Sequence, residues 1–334
     1  METQQQREVA ALEKGAACCA WNFCGQRLAV GSSDGAVSVY DSHDSSPASS
    51  PSHNWKVHTN GISSVVWLPP EAGDAIACVC VDGTFSIWEE VGQADQTITW
   101  KRCFLLESSS CRMLDVNFRV FSTGLKMITA YSDGHVKIFE LLDSLDLDKW
   151  QLQSDFQNVV DSVSRFGNYN CSSASIAWKP REAQHLQAPA SFVIGFNSDS
   201  SQLNSSKIWE FDEARNRWVL VGELALPEEK GDGVNALAWA PNIGRPYEII
   251  AVASYKGIAI WHVGLNPGSD GRLSTKKVAL LSGHDGEQVW QLDWDMSGMT
   301  LASTGDDGMV RLWQCNLNGV WHEQAALDCG TVQT

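Results

Sequence analysis

Near one end the sequence reads VWQLDWDMSGMTLASTGDDGMVRLW, Val289 to Trp313. Trp290, Leu292 and Trp294 alternate with Val289, Gln291 and Asp293, which is the period of a β-strand. Ser297-Gly298 supplies a turn, and Thr300–Thr304 a second short strand. Asp306-Asp307-Gly308 signals a tight turn, because Gly accepts positive φ and Asp can bond its own backbone. Met309–Trp313 is a third strand ending in Trp. One such sheet has two apolar faces and is marginal without neighbours to cover them. The rest of the chain should therefore hold copies.

It does. A Trp or Phe precedes the first turn of each unit, at Trp21, Trp67, Phe118, Trp178, Trp239 and Trp294. An Asp-Gly turn recurs at Asp34-Gly35, Asp82-Gly83, Asp133-Gly134 and Asp307-Gly308, each followed after five residues by an aromatic: Tyr40, Trp88, Phe139 and Trp313. Two further units keep the closing aromatic, Trp209 and Trp261, and lose the turn. Six units roughly 45–60 residues apart lie in the range of propeller and solenoid repeats. The expected fold is all-β, a six-bladed β-propeller over residues 16–328, with short tails at 1–15 and 329–334. Most of the fifteen Trp are repeat positions, expected in the blade core.

Composition narrows the function. The formal net charge is −16, from 24 Lys and Arg against 40 Asp and Glu. That sign argues against direct binding of nucleic acid or an anionic membrane. No apolar run approaches the roughly 20 residues of a membrane span, and METQQQREVAALEKG lacks the apolar core of a signal peptide. A cytosolic or nuclear location is the default. The ten Cys include no C-x-x-C, and no His pair has metal-ligand spacing, so neither a metal nor a cofactor is expected. Most Cys stand in apolar, strand-like context and read as small buried hydrophobes. No G-x-S-x-G, P-loop or H-E-x-x-H occurs, and the recurring carboxylates are turn residues, so catalytic residues are not expected.

In order, the expected strands are Ala16–Phe23, Arg27–Ser32, Ala36–Asp41 and Asn54–Val57 for the first blade; Ile62–Trp67, Ala75–Val81, Phe85–Glu89 and Trp100–Leu106 for the second; Met113–Phe118, Lys126–Ser132, His135–Leu141 and Trp150–Phe156 for the third; Ser173–Lys179, Ser191–Asn197, Ser205–Phe211 and Arg217–Leu224 for the fourth; Gly233–Ala240, Glu248–Ser254, Gly257–Val263 and Lys276–Leu281 for the fifth. The sixth adds Gly319–Leu327 to the stretch quoted first. Ser42–His53 is a polar loop with two Ser-Pro pairs, which makes Ser46 and Ser50 candidates for proline-directed phosphorylation, against the plainer reading of a solvated spacer. Gln157–Cys171 is longer than a usual blade connection, and Asn266–Thr275 reads as a flexible loop.

The unit resembles the WD40 repeat, with Tyr-Asp, Trp-Glu, Phe-Glu, Trp-Glu, Trp-His and Trp-Gln in the Trp-Asp slot. The resemblance implies a hydrogen-bonded set of His, Ser or Thr, turn Asp and third-strand Trp. Only the last unit has all four, His284, Ser303, Asp307 and Trp313; the second has His58, Asp82 and Trp88, with Cys78 where the hydroxyl belongs. Such a network, fully satisfied, mainly fixes a fold. Within the group the chain is similar to the Seh-type nucleoporins, relatives of the WD-repeat subunit of the COPII outer coat. The residues carrying this are Val289–Trp313, WAPNIGRPYEIIAVASYKGIAIW at Trp239–Trp261, ACVCVDGTFSIWEE at Ala77–Glu90 and TAYSDGHVKIFE at Thr129–Glu140. The first blade departs from the pattern, with no His before its first strand.

This resemblance implies a structural subunit of the Y-shaped outer-ring complex of the nuclear pore, at the nuclear envelope, supporting transport of protein and mRNA. It implies an open propeller into which an α-solenoid scaffold nucleoporin inserts a blade, alongside other outer-ring nucleoporins. Closed propellers of the group borrow the outer strand of the last blade from the N-terminus. Here the last blade owns four strands, and upstream of Ala16 only Glu8–Leu12 could form another. An opening between first and last blades is therefore expected. Two alternatives stand beside this reading: a WD-repeat complex at the vacuole or lysosome surface regulating TOR nutrient signalling, and a peptide-reading WD40 adaptor.

Overall fold

The structure, a computed structural model, describes residues 12, 14–42, 50–92, 98–107, 110–158, 170–180, 189–226, 231–284 and 286–329. Its strands group four by four in chain order. The first sheet is β1 (Ala16–Trp21), β2 (Arg27–Ser32), β3 (Ala36–Asp41) and β4 (His53–Lys56). The second is β5 (Ile62–Trp67), β6 (Ala75–Cys80), β7 (Phe85–Gly92) and β8 (Ile98–Leu106). The third is β9 (Met113–Phe121), β10 (Gly124–Tyr131), β11 (His135–Leu141) and β12 (Trp150–Gln157), and the fourth β13 (Cys171–Trp178), β14 (Ser191–Ser198), β15 (Ser206–Asp212) and β16 (Arg217–Leu224). The fifth is β17 (Ala236–Trp239), β18 (Tyr247–Ser254), β19 (Gly257–Pro267) and β20 (Leu273–Leu281), and the sixth β21 (Val289–Trp294), β22 (Thr300–Gly305), β23 (Met309–Cys315) and β24 (Trp321–Asp328). Within each sheet every strand bonds its neighbour in sequence, so six four-stranded sheets form the blades of an all-β propeller. By contacts the chain falls into two compact units, Met1–Met127 with Phe139–Gln151, and Ile128–Ile138 with Leu152–Thr334.

Within a unit, neighbouring sheets pack face to face. Ala29, Val37 and Val39 of the first sheet pack with Ile62, Val65, Trp67 and Ile76 of the second. In the other unit, β18 shows why its sequence lacks alternation. Ile250 and Val252 face the fourth sheet's Val193 and Ile208, while Ile249, Ala251 and Ala253 face Val289, Leu292 and Leu301 of the sixth. A strand buried on both faces reads as a continuous apolar run, and each Ile or Val so buried contributes about 1.5–3 kcal/mol.

The Asp-Gly turns share one geometry. Gly35, Gly83, Gly134 and Gly308 have φ of 89°, 87°, 78° and 69°. The preceding Asp accepts the backbone N–H two residues on: Ala36 to Asp34 at 3.1 Å, Thr84 to Asp82 at 2.9 Å, His135 to Asp133 at 3.1 Å and Met309 to Asp307 at 3.2 Å. At Gly35 a side chain is excluded by space as well, since a Cβ would lie 2.3 Å from the carbonyls of His58 and Asn60.

The structure corrects three expectations. First, strict alternation fails at Trp290. The ladder between β21 and β22 slips between Val289 and Gln291, and the same slip occurs at Ala16/Cys18, Ile62/Ser64 and Cys171/Ser173. Such a bulge adds one residue and resets the faces. Val289 and Leu292 are both buried, while Trp290 is 54% exposed and donates its indole N–H to Asp306 at 2.6 Å. Trp21 is likewise 44% exposed, so these two Trp are not core. Second, the loop at Asn266–Thr275 is mostly ladder. Pro267 pairs with Leu273, and Gly268 N–H donates to the Arg272 carbonyl at 2.8 Å across a turn containing Gly271 at φ 74°. Third, the Cys divide more evenly than expected: all ten are free thiols, Cys78, Cys80 and Cys171 are buried, and Cys19, Cys24 and Cys329 are exposed. Ser50 is exposed; Ser46, all but Leu12 of Glu8–Leu12, and 159–169 of the long connection lie outside the described residues.

Candidate functional site

In the sixth blade β22 and β23 present Ser303 and Trp313 to the buried face, and the segment before β21 brings His284 against them. Trp313 Nε1 donates to Ser303 Oγ at 2.8 Å, Ser303 Oγ lies 2.8 Å from His284 Nε2, and His284 Nδ1 lies 2.9 Å from Asp307 Oδ1. The carboxylate only accepts, so Nδ1 carries the imidazole proton and Nε2 accepts from the serine hydroxyl. Donors thus run in one direction, from indole through hydroxyl and imidazole to carboxylate. Arg311 adds a charged bond to Asp307 at 3.0 Å and another to Glu323 at 2.8 Å. Burial pushes the Asp307 carboxyl up, but the bonds from His284, Arg311 and the Met309 N–H together outweigh it and hold the group below its ordinary value. With Ser303 bonded on both sides and 1% exposed, the arrangement is a clamp for the blade rather than a nucleophile and its base.

Other blades solve the same problem with different atoms. In the second blade, Trp88 Nε1 donates to Ser86 Oγ at 2.9 Å. Ser86 on β7 stands directly opposite Cys78 on β6, so the hydroxyl missing from one strand is supplied by its partner. His58 does not join this bond. Its Nδ1 accepts the Asn60 N–H at 3.1 Å, and its Nε2 is 3.7 Å from Asp82, beyond hydrogen-bond range. The residues His58, Asp82 and Trp88 are near one another without forming the chain seen in the sixth blade. In the fourth blade Trp209 donates to Asn158 Oδ1 at 2.9 Å, both fully within one unit. There the lost Asp-Gly turn is replaced by Asn204, which bonds Ser198 N–H at 2.8 Å and the Gly231 carbonyl at 2.9 Å, and by Ser205 at φ 72°. The buried Lys207 ammonium caps the Gln202 and Asn204 carbonyls at 3.1 and 3.2 Å. Ser86 could have been found by asking what faces Cys78 across the ladder; Asn158 left no local signal.

The first-strand Trp residues join neighbouring blades. Trp67 donates to the Ala20 carbonyl at 3.0 Å, and Trp294 to the Ala238 carbonyl at 3.2 Å. Trp239 instead donates to Glu248 at 3.2 Å, which also pairs with Lys179 at 2.9 Å. Trp21, at the same place in the first blade, is the exposed one, and Phe23 beside it is 68% exposed.

These sets and the six consecutive sheets define a WD40-repeat β-propeller. The family model for the WD domain, G-beta repeat, matches residues 10–41 and 275–314. The chain is 57% identical over 323 residues to Protein SEH1 of Arabidopsis thaliana, covering 96% of this chain and 98% of that protein. It is 30% identical to Nucleoporin SEH1 of Homo sapiens, covering 90% of this chain and 82% of that one. Among solved structures it matches a chain of the "Crystal Structure of Mitotic Checkpoint Complex" with a TM-score of 0.60 at 16% identity, covering 90% of this chain and 74% of the other, which is a likeness of fold. The chain belongs to the SEH1 family of WD40-repeat nucleoporins. It is a scaffold protein, not an enzyme.

Proposed function

We propose that this chain is a structural subunit of the Y-shaped outer-ring complex of the nuclear pore, supporting passage of protein and mRNA at the nuclear envelope. An α-solenoid nucleoporin holds it by adding a blade in trans next to the first sheet, and other outer-ring nucleoporins join through that partner. The observation that carries the reading is Trp21. Trp67 and Trp294 each spend the indole on a carbonyl of the preceding blade, whereas Trp21 stands 44% exposed beside Phe23. An apolar edge of this kind marks an interaction surface. The last sheet has its own fourth strand, β24, which supports a blade supplied by another chain. Partner strands pairing along an exposed edge are β-augmentation, and a whole blade buries on the order of 2,000 Å² or more, typical of permanent complexes.

The test is affinity purification of the tagged full chain, with mass spectrometry of what stays bound, in wild type and Trp21→Glu. A large helical nucleoporin should be recovered stoichiometrically and fall at least tenfold in the variant. Recovery of a TOR-regulating complex without pore proteins, or retention of the nucleoporin unchanged in Trp21→Glu, would reject the assignment.

A further inference from the structure

The second blade brings three chemically different metal-ligating side chains together on one edge. Cys80 ends β6, Asp82 follows it in the turn, and His58 comes from the segment before β5. Their ligand atoms, a thiol sulfur, a carboxylate oxygen and an imidazole nitrogen, all lie within 4.8 Å of one another. In the sixth blade the position of Cys80 is held by Gly305, where a Cβ would meet His284 Nδ1 at 2.9 Å, because the imidazole there is drawn tight onto Asp307. The second blade has opened that clamp. His58 Nε2 stands 3.7 Å from Asp82 Oδ2, too far for a hydrogen bond. It is instead close to the separation of about 3.3–3.6 Å between two ligands on one tetrahedral zinc, with bonds of about 2.0–2.3 Å.

We infer that His58, Cys80 and Asp82 form a site for a divalent transition-metal cation of the zinc type, with an open fourth position for water or a residue of a partner. The donor set fits that ion. Thiolate and imidazole select borderline-soft metals over magnesium or calcium, and three protein ligands with one open position are an established zinc arrangement. Cys80 is buried at the base, while His58 and Asp82 are partly exposed, which leaves a path for the ion from solvent. Supporting bonds hold the carboxylate: Thr84 N–H donates to Asp82 Oδ1 at 2.9 Å and Asn60 Nδ2 to Oδ2 at 3.0 Å. Binding displaces one proton from the Cys80 sulfur. It also moves the imidazole proton of His58 from Nε2 to Nδ1, so the Asn60 N–H turns away as the ion enters. The site lies within the first compact unit.

The experiment is titration of the purified full chain, reduced and chelator-treated, with Co²⁺, following the near-ultraviolet sulfur-to-cobalt charge-transfer band, then adding Zn²⁺. One equivalent of Co²⁺ should produce the band and Zn²⁺ should abolish it. Cys80→Ala should remove the band, and His58→Gln and Asp82→Asn should each weaken binding at least about tenfold. Because Cys80 is buried, His58→Gln serves as the variant least disturbing to the fold, with circular dichroism as the control. Absence of a band in the wild type, or a band of equal strength in both Cys80→Ala and His58→Gln, would overturn the site.

Discussion

Replacing Ser303 with Ala removes one oxygen from the centre of the sixth-blade clamp. The residue is 1% exposed, and its hydroxyl serves two buried nitrogens, Trp313 Nε1 and His284 Nε2, both at 2.8 Å. A methyl group satisfies neither. Each buried group left unpaired costs roughly 1–3 kcal/mol, so the substitution costs about 2–6 kcal/mol. Because the damage is local to the sixth blade, the readout is amide hydrogen exchange rather than whole-chain melting. With each 1.4 kcal/mol worth tenfold, exchange of the β22 and β23 amides should accelerate at least about 30-fold, while β14 and β15 of the fourth blade stay as they were. In a Trp313→Phe background the indole donor is already gone, so Ser303→Ala should cost about half as much, which isolates the coupling. An acceleration below about threefold, or equal acceleration in the fourth blade, would show that these distances do not describe working bonds.

The clamp is also acid-sensitive. The Asp307 carboxyl is depressed in the folded chain, so its contribution is present above the ordinary carboxylate pKa of about 3.9 and is lost as pH falls through the lower folded value. Protection of the β23 amides, taken relative to intrinsic exchange at each pH, should therefore fall more steeply between about pH 5 and 2 in the wild type than in Asp307→Asn; parallel profiles would contradict the shift. In the fourth blade, Asn158→Ala should leave the Trp209 indole unpaired and destabilise β15 by about 1–3 kcal/mol, an effect that Trp209→Phe should largely relieve. Denaturant titrations of the single and double variants that show simple additivity would rule that bond out.

Repeat positions were legible because backbone geometry demands them. Gly takes the positive φ after the turn Asp at no steric cost, and a closing aromatic five residues later marks the third strand, so the sheets at Arg27–Asp41 and Thr300–Cys315 could be drawn from sequence. The full clamp at His284, Ser303, Asp307 and Trp313 was legible only through the resemblance to the WD40 repeat, which implies those four residue types at those places. The bulges were not, because an extra residue at Trp290 leaves the alternation of VWQLDW looking regular while it reverses which side chain points inward. Ser86 and Asn158 escaped notice because they come from other strands or connections than the one that normally supplies the hydroxyl. His58 and Cys80 are too far apart in sequence for ligand spacing to reveal them; only the fold brings them together.

The bonds from Trp67 to Ala20 and from Trp294 to Ala238 point the same way along the chain, from a later donor to an earlier acceptor. A ribosome delivers the acceptor first. When Trp67 emerges, the strand bearing Ala20 has already been made and can be paired, and Trp294 meets Ala238 in the same order. N-terminal segments fold first during synthesis, so each new sheet at these two junctions finds a finished template to register against. Among the described residues, no sheet stands before the first. Its own Trp21 stands 44% exposed, and on the proposed assembly its cover would come from the partner, which would tie completion of the first sheet to assembly rather than to the end of translation.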